Sequence, residues 1–99
     1  MGQVATVGIV WYTRMTYQKL RSIFDDGDRL PASFEEWQGI AERGCDRLTS
    51  EGYQPIHVYI DLATFPEWCR KNNFRPDSIG RRGFADTVAC QQQRDRFKS

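Results

Sequence analysis

The chain has 99 residues, enough for a single domain, residues 1–99, with a thin core to which 13% aromatic residues contribute much of the bulk. Its 14 Lys and Arg nearly balance 13 Asp and Glu, which excludes the strong overall charge that draws proteins to nucleic acids or membranes. Three widely spaced cysteines form no Cys-x-x-Cys pair, so the chain is expected in a reducing, cytoplasmic compartment, without a disulfide framework or a zinc site.

The first predicted elements are a strand and a helix. Residues 4–12 are mostly β-branched or aromatic, a run typical of a strand covered on both faces. Thr13 or Thr16 then opens a helix with an apolar stripe, which consists of Tyr17, Leu20, Ile23 and Phe24. An acidic segment around Gly27 ends this helix, and Gly27 suits a left-handed C′ position.

Two later segments share a pattern of a hydroxyl residue, an aromatic residue, a glutamate and a tryptophan. They are Ser33-Phe34-Glu35-Glu36-Trp37 and Thr64-Phe65-Pro66-Glu67-Trp68. The hydroxyl residue and the glutamate three places later predict a capping box at each of two helix starts. The helix after Ser33 ends at Gly52 and has one apolar face, formed by Trp37, Ile40, Ala41, Gly44 and Leu48.

Residues 56–61 alternate like a half-exposed strand, with Ile56, Val58 and Ile60 on one side and His57, Tyr59 and Asp61 on the other. A third helix, about residues 65–72, buries Phe65 and Trp68. A fourth helix begins at Pro76-Asp77-Ser78 and runs to about Gln92. Its inner face is Phe84, Ala85, Val88 and Ala89, and a polar tail from about residue 94 to 99 is expected to fray.

The order β-α-α-β-α-α predicts an α-rich α/β fold. Two strands joined by a helical crossover pair in parallel, and four helices cover them. Because a two-stranded sheet is only marginally stable, we expect a homodimer, with extension of the sheet across a two-fold axis as one way to form it.

Asp61 ends a predicted strand, and Cys69 lies in the next predicted helix. This arrangement locally resembles the active-site segment of thioredoxins. Arg70 and Lys71 beside Cys69 predict a lowered thiol pKa. Asn72 stands where thioredoxins have their second cysteine, so a packed Cys69 is favoured over a thiol site.

His57 is the one histidine in the sequence, which leaves little material for a catalytic triad or a multi-histidine metal site. With Tyr59 and Asp61 it forms an exposed strand face, interpreted as a solvent or interface row rather than a groove. No P-loop, GxGxxG or GxSxG pattern occurs. We therefore expect no enzymatic activity, no metal and no cofactor.

The start of the fourth helix carries Arg75, Gly80, Arg81 and Arg82, a pattern that can bind phosphate or a nucleic-acid backbone. Charge is divided along the chain: 6 basic against 9 acidic residues through Pro66 give −3, and 8 against 4 afterwards give +4. The favoured alternative is therefore that these arginines pair with acidic residues of the first half, such as Glu42, Asp46 or Glu51.

Five segments together resemble a group of small, uncharacterised bacterial proteins. They are Ile9–Tyr12, Phe34–Trp37, Gly52–Asp61, Phe65–Cys69 and Arg81–Ala85. No activity is assigned to that group, so the resemblance implies a bacterial, cytoplasmic origin and no chemistry.

These observations predict a non-enzymatic protein-interaction or regulatory module acting as a homodimer, with an unidentified protein partner and no membrane association. The first alternative is a protein that binds nucleic acid or another anion through Arg81 and Arg82. The second is a single-cysteine thiol protein acting through Cys69.

Overall fold

The computed structural model describes residues 5–96, with side chains described through Gln92. Within that range the chain has an α/β fold of four α-helices and one two-stranded parallel sheet, as the sequence predicts. The elements are β1 Ala5–Trp11, α1 Tyr17–Ile23, a 3₁₀ turn Gly27–Arg29, α2 Phe34–Ser50, β2 Tyr53–Tyr59, α3 Thr64–Lys71 and α4 Ser78–Arg96. α4 continues past its predicted end at Gln92, and residues 97–99 of the predicted frayed tail lie outside the described range.

The sheet is packed between helices. β1 and β2 pair in parallel, with Val10 beside Val58 and Trp11 beside Tyr59. α4 packs chiefly against β1, and α2 packs against β2. α4 crosses β1 at Gly8, where a Cβ atom would lie 2.5 Å from the carbonyl oxygen of Ala85. Glycine at this position therefore allows the helix backbone to approach the strand closely.

The core lies beyond the carboxyl end of the sheet, where aromatic rings pack together. Its buried members are Trp11, Tyr12, Tyr17, Leu20, Phe24, Trp37, Ile60, Phe65 and Cys69. The Trp11 and Trp37 rings meet edge to face at 5.0 Å, and the Phe65 ring meets Phe24 at 5.8 Å. The prediction that Trp37 and Phe65 anchor the helices in the core is confirmed, whereas Trp68 is half-buried and stacks on Phe74 at 5.2 Å.

Of the two predicted capping boxes, only the first has a hydrogen bond to the side chain of its cap residue. The Ser33 hydroxyl accepts a hydrogen bond from the Glu36 amide at 3.1 Å. The prediction for Thr64 is wrong: Thr64 is the first residue of α3, and the cap position is Ala63, which makes no side-chain cap bond. The carbonyl of Asp61 accepts the Phe65 amide at 3.0 Å, so the main chain of the preceding loop starts this helix.

Three further predictions are corrected by the structure. Gly27 does not have a positive φ; a Cβ there would overlap the carbonyl group of Arg21, so the glycine is required by close packing. Ile23 and Ile40 were predicted on buried faces but are 38% and 54% exposed. The helices therefore bury narrower stripes than their apolar residues suggest.

The inner face predicted for α4 is confirmed, because Ala85 and Ala89 are buried and Phe84 and Val88 are half-buried. The alternation of β2 is also confirmed, with Val58 buried and His57 and Tyr59 exposed. No helix within residues 5–96 is long and apolar enough to cross a membrane.

Candidate interaction surface

The arginines at the start of α4 have different environments, and Arg81 belongs to the core. Its guanidinium donates two hydrogen bonds to the carboxylate of Asp26, at 2.7 and 3.0 Å, and lies 4.5 Å from the centre of the Phe24 ring. The hydrogen bond from Arg81 holds the pKa of Asp26 below its usual value. Arg81 is buried, so its charge is neutralised inside the fold.

Arg75 and Gly80 also have internal partners. The Arg75 Nε donates to Asp25 at 2.6 Å, and the Gly80 amide donates to the Asp77 carboxylate at 3.0 Å. The basic half therefore does pair with the acidic half, but through aspartates that follow α1 rather than through the acidic residues of α2. Among the ion pairs of the described side chains, Arg82 has none, so it alone of the four residues predicted to bind anions presents a free charge. The anion site stays a prediction.

Cys69 is placed for packing. Its side chain is buried, and its Sγ lies 3.7 Å from the carbonyl oxygen of Arg75. Burial, together with the nearby charge of Asp77, raises the pKa of the Cys69 thiol. The prediction of a lowered pKa is wrong, because Cys69 lies in the core near the end of α3 and away from the exposed side chains of Arg70 and Lys71.

His57 has neighbours that the sequence reading missed. Its ring stacks on Trp11, with centroids 3.7 Å apart and planes 6° from parallel, and its Nε2 lies 4.0 Å from the Cys45 Sγ. The available signal was the position of Cys45, one helical turn after Ala41 on the apolar face of α2. Burial raises the pKa of Cys45, so this thiol is not activated as a nucleophile.

Tyr59 and Asp61, predicted to form an exposed row with His57 rather than a groove, are both exposed. The backbone carbonyl of Asp61 accepts a hydrogen bond from the first turn of α3. Neither side chain lines the two grooves beside β1 described below.

Neither edge of the two-stranded sheet is paired with a further strand in the described residues, and the register shows which main-chain groups point outward. The Ile60 amide donates to the Trp11 carbonyl at 3.2 Å, so Trp11 directs its main-chain groups toward β2. Successive residues of a strand direct these groups to opposite sides. The amides and carbonyls of Gly8 and Val10 therefore point away from β2, and within residues 5–96 no hydrogen bond reaches them.

The same alternation explains the proline in β2. Pro55 is paired in register with Val7, which, like Trp11 four residues later, directs its main-chain groups toward β2. In a parallel pair such a residue bonds to the two neighbours of its partner, so the main-chain groups of Pro55 itself point away from β1. Its missing N–H therefore falls on the outer edge of β2, where it interrupts no bond between the strands. The two edges of the sheet consequently differ: the edge of β1 keeps its donors, and the edge of β2 lacks one at its centre.

The open edge of β1 faces a cavity of about 450 Å³, here named the edge groove. Residues 7–10 of β1 and Leu48 of α2 form its floor and one wall, and α4 forms the other wall with Ser78, Arg81, Arg82, Ala85 and Asp86. Arg82 and Asp86 are both exposed, and neither takes part in an ion pair among the described side chains.

A second cavity of about 370 Å³ lies on the α2 side of the same strand. It shares Ile9 and Leu48 with the edge groove, and is otherwise lined by Ala41, Gly44, Cys45, Arg47 and Glu51. β1 is therefore flanked by a groove on each side of its free edge. An extended segment placed along this edge would find main-chain partners in the middle and apolar surface above and below.

No protein-family model, no curated protein and no solved structure matches the chain.

Proposed function

We propose that this chain is a non-enzymatic protein-interaction module that binds a β-strand of another polypeptide along the free edge of β1. The observation that carries the proposal is the pair of outward-facing main-chain groups at Gly8 and Val10, which open into the edge groove without a partner in the described residues. Exposed strand edges of this kind are the usual template for the addition of a further strand.

The walls of the edge groove suit such a strand. Leu48 and Ala85 offer apolar surface on the two sides of β1, which can take alternate side chains of an added strand. Arg82 and Asp86 supply one positive and one negative charge at the rim, which can fix the direction and register of the strand. Main-chain hydrogen bonds give affinity in this mode, and the flanking pockets give specificity.

The same surface is a poor match for nucleic acid. A phosphate backbone requires a stripe of cations, whereas the edge groove places Arg82 close to Asp86, and its second arginine, Arg81, is neutralised by Asp26. The buried, high-pKa thiol of Cys69 likewise favours an interaction module over thiol chemistry.

A proline substitution at Val10 tests the proposal. Val10→Pro removes the outward amide while leaving the bonds between β1 and β2 in place, because those bonds come from the odd-numbered residues of β1. Heptapeptides are selected from a displayed library against the wild-type chain, immobilised at low density so that copies cannot pair. We expect the selected peptides to bind Val10→Pro roughly tenfold or more weakly.

The matched control is Val10→Ala, which loses the same side chain but keeps the amide. Binding by Val10→Ala should stay close to that of the wild type, and circular dichroism shows whether each variant is folded. Failure to select any peptide, or equal binding by folded Val10→Pro and Val10→Ala, would contradict the proposal.

A further inference from the structure

A second site lies where α2 packs against β2, and it does not depend on the proposed strand-binding edge. Cys45 of α2 and His57 of β2 meet there, with the Sγ and Nε2 atoms 4.0 Å apart. We propose that these two atoms bind one soft, monovalent metal ion of the Cu(I) class. Thiolate sulfur is the protein ligand that selects Cu(I), and imidazole nitrogen also suits copper.

The distance between the two atoms favours an ion with two ligands in an open arrangement. With bonds of about 2.3 Å to sulfur and about 2.0 Å to nitrogen, a tetrahedral ion holds these atoms about 3.5 Å apart and a linear ion about 4.3 Å apart. The observed 4.0 Å is nearer to the linear value and corresponds to an angle of about 135–140° at the metal. A thiol is a weak hydrogen-bond donor, and this separation is long for a direct bond to nitrogen.

The small number of available ligands also favours a two-coordinate ion. A structural zinc site requires four ligands, and a catalytic one requires three and a water. Among the described side chains, no group of three His, Cys, Asp or Glu residues is placed to hold a metal. A second histidine and a Cys-x-x-Cys pair, whose absence from the sequence predicted no metal, are not required for an ion with one thiolate and one imidazole ligand.

Trp11 fixes the orientation of the imidazole ligand. The Trp11 and His57 rings lie 3.7 Å apart and 6° from parallel, and Trp11 is itself buried against Trp37. A ligand that is oriented before binding loses little conformational freedom when the ion arrives. Cys45 lines the second groove and His57 is exposed, so an ion can reach both ligand atoms from solvent.

The charges nearest to the thiol favour a cation. Asp46 and Glu42 of α2 both act on Cys45 with negative charge. When the metal–sulfur bond forms, the thiol proton leaves to solvent, and the two carboxylates then attract the bound ion. Cys45 can therefore serve as a metal ligand although it is not activated as a nucleophile.

Titration with Cu(I) under anaerobic conditions tests the proposal. The parent chain for this experiment carries Cys90→Ser, because Cys90 is an exposed thiol that would bind Cu(I) by itself, whereas Cys69 is buried. Competition with a coloured Cu(I) chelator gives the number of ions bound and their affinity. We expect one Cu(I) per chain.

Two variants of this parent separate the proposed site from binding by a thiol alone. His57→Phe keeps an aromatic ring on Trp11 but removes the nitrogen ligand, and Cys45→Ser removes the sulfur. Each should weaken Cu(I) binding by at least about tenfold, since even the loss of a residue that only orients a ligand costs about 10–100-fold. Absence of Cu(I) binding by the parent, or equal affinity of the parent and folded His57→Phe, would overturn the proposal.

NMR of His57 gives a readout that needs no substitution at the site. His57 is the one histidine in the sequence, so an untagged chain gives a single pair of imidazole nitrogen signals. Cu(I) should shift the Nε2 signal more than the Nδ1 signal, and X-ray absorption of the complex should show one sulfur and one nitrogen ligand. An Nε2 signal that stays in place at saturation, or a metal with three or more ligands, would contradict the proposed site.

Discussion

Arg81 and Arg82 are neighbours in the sequence and have opposite surroundings in the structure. Arg81 is buried against Phe24 and bound to Asp26, whereas Arg82 is exposed in the edge groove without an ion pair among the described side chains. α4 thus divides the molecule into a closed side, on which Arg81 meets the aromatic core, and an open side, on which Arg82 faces the free strand. The closed side supplies stability, and the open side is available for binding.

The largest difference between the two sides should appear on removal of each arginine. Arg81→Ala leaves Asp26 without its partner in a partly buried site, so we expect the free energy of unfolding to fall by about 2–4 kcal/mol. Arg82→Ala should change it by less than about 0.5 kcal/mol. Urea denaturation at one low protein concentration measures both, and similar losses in the two variants would refute the division into sides.

The closed side should also make the free energy of unfolding depend on pH in the alkaline range, because Tyr12 is buried there. Burial raises the pKa of Tyr12 to about 12, from an ordinary value of 10.0. Its contribution to stability is therefore complete below pH 10 and is lost as the pH rises toward 12, a loss of roughly 2–3 kcal/mol. Tyr12→Phe should reduce this alkaline loss, as followed by urea denaturation at several pH values.

The control for this experiment is Tyr59→Phe, which removes a hydroxyl from an exposed ring. The alkaline loss in Tyr59→Phe should match that of the wild type. Identical pH profiles for the wild type and Tyr12→Phe would mean that Tyr12 is not buried as described.

Gly8→Ala tests the contact between α4 and β1, which lies between the two sides. A methyl group at Gly8 would lie 2.5 Å from the carbonyl oxygen of Ala85 and 3.0 Å from the Ala89 Cβ, so α4 must move away from β1. We expect a loss of about 1–3 kcal/mol in the free energy of unfolding. A neutral or stabilising effect in urea denaturation would show that α4 does not contact the strand at this point.

Gly44→Ala should have the smallest effect, and in the opposite direction. Gly44 lies inside α2, beside the second groove, and no atom is within 4 Å of the position of its Cβ. Alanine in a helix is favoured over glycine by about 0.5–1 kcal/mol, so thermal unfolding should shift upward by a few degrees. Destabilisation would mean that the open side is more tightly packed than the structure shows.

Much of the fold could be predicted from the sequence, because its signals are local. Apolar patterns together with helix-start residues predict both strands and all four described helices, and the aromatic residues after the helix starts are core residues at Trp37 and Phe65. The cap at Thr64 could not be judged in this way, since the main chain of Asp61 replaces it. Local patterns do not reveal which of two competing groups satisfies an amide.

The surface could be predicted only in part. The sequence singled out Arg82 but grouped it with Arg81, because the partner of Arg81 lies 55 residues away at Asp26. The free edge of β1 was not visible either, since it depends on which main-chain groups face β2. That choice is set by the register of the pair and can be read only when both strands are in place.

Pro55 has a consequence for strand addition at the outer edge of β2. A sheet with two equivalent edges can add copies at both, and repeated addition produces fibres. Here the outer edge of β2 lacks the amide at Pro55, so an added strand finds one donor fewer there than a complete edge offers. Pro55 therefore makes the outer edge of β2 a weaker template for repeated addition.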